Sequence, residues 1–146
     1  MTTDALKFFQ AYIKEMINIG GENFPKTISA GLGANLAKIY KKKGFSSIET
    51  GLKKSYTALG ADVQITRIND KQLEIKIKHP KKFCPIGGKF DPEKAELIQK
   101  SVCTPYTGGF LNELDPQYKY SSDIHECILQ TDNRYCHYTL YLEKKE

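Results

Sequence analysis

Residues 62–78 read DVQITRINDKQLEIKIK. Apolar Val63 and Ile65 alternate with Gln64 and Thr66, Asn69-Asp70 carries turn chemistry, and Leu73, Ile75 and Ile77 then alternate with Gln72, Glu74 and Lys76. A period of two belongs to strands that bury one face, so this stretch predicts an antiparallel hairpin. Upstream the period is helical instead. From a cap at Thr3 or Asp4, the positions Leu6, Phe9, Ile13, Met16 and Ile17 follow helical spacing until Gly20-Gly21. A second helix is predicted from about Pro25 to Lys42, with Gly31 and Gly33 inside it, where glycine costs about 1 kcal/mol and permits close approach of another helix. A third starts at Ser46 or Ser47 and runs through Leu52, Tyr56 and Leu59 to Gly60.

Downstream of the hairpin, a Pro- and Gly-rich loop over His79 to Asp91 contains Cys84, and Asp91-Pro92-Glu93 opens a fourth helix through Val102. Pro105 predicts a break near Cys103 and a separate short helix carrying Tyr106, Phe110 and Leu111. A closing hairpin is expected from about Ser122 to Leu129 and from Arg134 to Leu142, with Gln130 to Asn133 as its turn. The order is ααα-ββ-αα-ββ. It defines an α+β fold in which an antiparallel sheet of about four strands packs against helices.

With 146 residues, 40% hydrophobic and 27% charged, the chain has the length and composition of one globular ligand-binding domain over residues 1–146. Its longest apolar runs fall far short of the ~20 residues that span a bilayer, and the N-terminus lacks a leader pattern, so a cytoplasmic location is expected. Of the 22 basic residues only Arg67 and Arg134 are arginine, and the net charge is +5. Lysines dispersed in short runs make a solvated surface, whereas readers of nucleic acid favour arginine for bidentate contacts; no specific nucleic-acid binding is expected.

The four cysteines, at 84, 103, 127 and 136, all lie in the C-terminal half. Across the expected hairpin Cys127 and Cys136 stand opposite each other, with Cβ atoms about 5 Å apart, a separation that suits two thiolates on one zinc. Cys103 faces the same place from the helical layer. Cys84 is the first choice for a fourth ligand, with Glu126 and His125 as alternatives; strand alternation puts His125 on the Cys127 face and Glu126 on the other. Inert buried thiols and disulfides remain open readings of the same residues.

The run Cys84-Pro85, Val102-Cys103, Tyr106-Thr107-Gly108-Gly109-Phe110-Leu111, Glu126-Cys127 and Tyr135-Cys136 resembles the 4-vinyl reductase-like domain family. With the three leading helices and the hairpin, the resemblance covers nearly the whole chain. It implies kinship with sensor domains that respond to phenols and aromatic hydrocarbons, and a fold similar to vesicle-tethering subunits with a buried acyl-chain pocket. It also implies zinc on Cys103, Cys127, Cys136 and a glutamate, and pairing of copies through the N-terminal region. Glu126 adjoins Cys127 here, whereas the family's glutamate stands three residues earlier, and Cys84 is additional.

A helix pair beside the second hairpin can wall a cavity. Ile86, Phe90, Val102, Tyr106, Phe110, Leu111 and Tyr138 are the residues available to line it, with the ordinary core as their other destination. No phosphate loop, nucleophile elbow or dinucleotide fingerprint is present, so catalysis finds little support. The expected function is a sensor or carrier of a small hydrophobic molecule beside a structural zinc. A thiol-based redox or transcriptional regulatory module is the alternative, and an enzyme acting on a hydrophobic substrate comes third. Surplus apolar residues on the first helix, Leu6, Phe8, Phe9, Tyr12 and Ile19 among them, predict a homodimer.

Overall fold

The computed structural model describes residues 3–146; the cap expected at Thr3 and the side chain of Leu6 lie outside what is described. Helix α1 (Thr3–Gly20) buries Ile13 and packs Met16 and Ile17 inward. Helix α2 (Asn23–Lys42) begins two residues before the expected start. Helix α3 (Ile48–Ala58) is capped as its sequence suggests: Ser47 is extended, and its hydroxyl accepts the Thr50 N–H at 3.4 Å. Such a cap contributes about 1 kcal/mol.

Strands β1 (Asp62–Asn69) and β2 (Gln72–Lys78) form the hairpin read from the sequence, with its turn moved by one residue to Asp70-Lys71. The Asn69 carboxamide accepts the Lys71 N–H at 2.8 Å, which closes the turn through a side chain. Leu73, Ile75 and Ile77 are buried while Lys76 between them is exposed. The alternation therefore does select the face.

Helix α4 (Pro92–Ile98) does not break before Pro105. It widens into a π-helical segment, Gln99–Cys103, and continues directly as α5 (Thr104–Leu114), with Pro105 in its first turn. Proline is tolerated there because the spacing changes from π to α at this point, so one N–H can be spared and the wider turn leaves room for the ring.

The closing hairpin also departs from expectation. Strand β3 (Tyr118–Glu126) starts four residues earlier than expected and ends before Cys127, and residues expected as strand and turn form the short helix α6 (Ile128–Thr131) before β4 (Tyr135–Lys144). Ile128 and Leu129 are fully buried, so a helical turn places both inward where a strand would have turned one out.

All four strands pair antiparallel in the order β1-β2-β4-β3, with Leu73, Ile75 and Ile77 opposite Leu140, Tyr138 and Cys136. The apolar sheet face meets Ile48 and Leu52 of α3 and Phe110, Leu111 and Leu114 of α5, and α2 adds Ala37 and Tyr40 from behind. A second cluster joins Ile13, Ala95, Ile98, Val102, Ile128 and Leu129 with Cys84 and Cys127. Among the described residues no helix is long and apolar enough to cross a membrane.

Helices α2 and α5 cross through backbone contact. A Cβ on Gly33 would lie 2.2 Å from the Tyr106 carbonyl oxygen, and one on Gly109 would lie 2.1 Å from the Ala30 carbonyl oxygen. Gly33→Ala and Gly109→Ala are each expected to destabilise the fold by about 1–3 kcal/mol in urea unfolding, the range for overpacking. Gly31→Ala and Gly108→Ala on the same helices meet open space and should be neutral or up to about 1 kcal/mol stabilising. Equal effects at all four positions would contradict the crossing.

Candidate functional site

Between α3, the junction of the π segment with α5, the loop after β2 and one end of the sheet lies a mostly apolar cavity of about 120 Å³. Helix α3 contributes Ser55 and Tyr56 and then Leu59 at its C-cap, and β2 contributes Ile77 and then His79 beyond its end. The π segment presents both Gln99 and Cys103, four residues apart, and α5 adds Thr104, Tyr106 and Thr107. From the sheet come Ser122, Ile124, Glu126, Cys136 and Tyr138, with Cys127 just past the end of β3.

All four cysteines, widely spaced in sequence, reach this one wall. They reach it as a pair and two separate thiols. Cys127 and Cys136 are neighbours whose interaction drops Cys127 below and lifts Cys136 above the ordinary thiol value. Cys127 is the member that ionises first, lowered chiefly by Cys136 and further by the nearby Leu129 and Gln130 N–H dipoles. Cys84 instead accepts the Gly87 N–H at 3.3 Å within a tight loop closed by the Cys84–Gly88 bridge, and burial pushes its thiol up. The Gln10 carboxamide ties that loop to α1 through the Cys84 carbonyl at 3.3 Å. Cys103 keeps some accessible surface, yet protein surrounds the thiol itself, and that burial raises it strongly.

Among the described residues, no group of three or more His, Cys, Asp or Glu side chains is arranged to hold a metal ion. Glu126 does line the cavity beside Cys127, against the expected alternation, because the register shifts between Ile124 and Glu126 and the chain then leaves the sheet. His125 does not line it. Its Nε2 lies 2.6 Å from Thr139 Oγ1 in a polar chain that runs on to Glu74 and His137. The Glu74 carboxyl is held low there, chiefly by the Thr139 hydroxyl.

Of the expected pocket residues, Ile86, Tyr106 and Tyr138 line the cavity. Val102, Phe110 and Leu111 are core, and Phe90 is 46% exposed. Tyr56, Leu59 and Gln99 were not legible as lining residues. The Tyr56 and Tyr138 hydroxyls meet at 2.6 Å, and burial raises both phenols. The Gln99 amide nitrogen lies beside the Cys127 sulfur, buried and without an aligned partner.

The sequence matches no protein-family model and no curated protein. The fold does have a solved counterpart. A crystal structure of trafficking protein particle complex subunit 3 from Naegleria fowleri, covalently bound to palmitic acid, aligns with a TM-score of 0.64 over 97% of this chain and 96% of that chain. At 10% identity the likeness shows a shared fold and no more.

Burial holds the His79 imidazole below its ordinary value of 6.5. As pH falls, the unfolded chain therefore binds a proton at this residue before the folded chain does. The stability held by neutral His79 is complete above 6.5 and is lost as pH drops through the lowered value. The urea midpoint should fall between about pH 7.5 and about pH 5.5, and His79→Gln should flatten that slope. An unchanged slope in the variant would refute the assignment.

Proposed function

We propose that the chain is a binding domain, a sensor or carrier, for a small apolar molecule seated in the thiol-lined cavity. The observation that carries the reading is the size and lining of that cavity. A void of about 150 Å³ with apolar walls binds benzene, so about 120 Å³ suits one small ring or a chain of a few carbons. A long acyl chain would require the helices to part. The palmitic acid of the trafficking subunit supports an apolar occupant for this fold, and the resemblance to 4-vinyl reductase-like domains points to a small aromatic one. Polar handles are few: the Tyr56–Tyr138 hydroxyl pair and the Gln99 amide.

The same resemblance implies zinc on Cys103, Cys127, Cys136 and a glutamate, and the residues themselves offer Cys84 first, then Glu126 and His125, as the fourth donor. The arrangement of thiols lends zinc no support, and the zinc content of protein purified without added metal measures it directly.

Toluene at about 100 times its dissociation constant should stabilise the fold by about 2.7 kcal/mol, which raises the melting temperature by about 5–10 °C. Thr107→Phe, which fills the cavity, should keep a cooperative melt and lose this shift. A shift of equal size in the variant, or none in the wild type, would overturn the reading.

A self-associating surface accompanies the cavity. Phe8, Tyr12 and Ile19 are 74%, 60% and 77% exposed and fall on one stripe of α1, away from Ile13 and Ile17. A second copy related by a two-fold axis covers such a stripe with itself. Light scattering at micromolar concentration should return a dimer that Phe8→Glu or Tyr12→Glu converts to folded monomer. A monomeric wild type would contradict the pairing.

A further inference from the structure

We propose that Cys127 and Cys136 are a redox-modifiable pair, oxidised by a peroxide to a reversible disulfide in the cavity wall, while Cys84 and Cys103 stay thiols. The inference goes beyond ligand binding and does not depend on it. It starts from the way the four thiols divide.

Glu126 faces His137 in the β3–β4 register, and Cys127 continues the extended backbone with φ −142° and ψ 139°. Cys127 and Cys136 are therefore the next facing pair beyond the last ladder position. Facing residues of antiparallel strands have Cα atoms about 4.5–5.5 Å apart, inside the range of about 4.4–6.8 Å that disulfides span. Both thiols line the same cavity wall, and each perturbs the titration of the other, as neighbouring groups do. The bond can form with little backbone movement, in a segment where the sheet has just ended and α6 has yet to begin.

The other two thiols share the wall but do not stand across a strand pair from another cysteine. Cys84 is turned onto its own loop by the Gly87 N–H, and Cys103 belongs to a helical segment that is continuous with α5. Peroxide is small enough for the cavity that all four share, and Cys136 keeps some accessible surface.

The chemistry balances in two steps. The Cys127 sulfur attacks a peroxide oxygen, an S–O bond forms as the O–O bond breaks, and the thiol proton leaves with the departing hydroxide as water. The Cys136 sulfur then displaces hydroxide from the sulfenic sulfur. An S–S bond replaces the S–O bond, and the second thiol proton leaves in a second water. The sulfur pair loses two electrons and the peroxide gains them. Thiol exchange with a small dithiol reverses the change.

Full-length protein, reduced and freed of metal with a chelator, is treated with one equivalent of hydrogen peroxide, alkylated under denaturing conditions and mapped by mass spectrometry. The expected result is the loss of two hydrogen masses, two alkylated thiols where the reduced protein shows four, and a Cys127–Cys136 cross-linked peptide that dithiothreitol removes. Cys84→Ser and Cys103→Ser should retain the cross-link. A cross-link through Cys84 or Cys103, stable sulfinic acid at Cys127, or four free thiols after glutathione in the same tube has been oxidised would each overturn the proposal. The wild-type map decides the matter even where a variant fails to fold.

Discussion

Backbone contact between α2 and α5, made through Gly33 and Gly109, fixes how deep α5 sits, and the rest of the molecule is built around that depth. With no side chain between them, the helices approach until carbonyl oxygens occupy the space a Cβ would take. Helix α5 is then held between α2 and the sheet. One side delivers Phe110, Leu111 and Leu114 to the core, and another presents Thr104, Tyr106 and Thr107 to the cavity. Dense packing on the first side and a void on the second are two results of one placement.

The π segment is the second constraint. A regular α-helix turns about 100° per residue, whereas a π turn absorbs one extra residue and rotates the downstream side chains around the axis. Here the π segment joins α4 to α5 without a break, and Gln99 and Cys103, four residues apart, face the same space as i, i+4 neighbours do. Buried thiols suit such a wall because they pack as small apolar groups until an oxidant or a soft ligand reaches them. The cavity therefore combines apolar walls with latent sulfur chemistry.

The sequence carried the sheet well and the junctions poorly. Alternation from Val63 to Ile77 identified the hairpin and its buried face because a strand's period of two has no competitor over that length. Ser47 announced the start of α3 for an equally local reason. Pro105 misled because its effect depends on the turn geometry around it, which composition does not reveal. Helix α6 was hidden because burial of both Ile128 and Leu129 is a tertiary demand. The expected hairpin already set Cys127 opposite Cys136, but that Cys84 turns onto its own loop was not legible. Phe110 and Leu111 have the spacing of ordinary core residues and were drawn to the pocket by the family resemblance alone; the glycine-mediated depth of α5 assigns them to the core. Tyr56 reached the cavity from a helix whose period marked it merely as inward.

The most direct measurement is a methyl NMR titration of isoleucine-labelled protein with toluene. Ile77, Ile86 and Ile124 line the cavity, while Ile48 and Ile68 lie away from it. The account predicts saturable shifts of the first three methyl signals, with Ile48 and Ile68 unmoved. Shifts centred on Ile19 at the α1 surface, or none at the cavity isoleucines at saturating toluene, would contradict it.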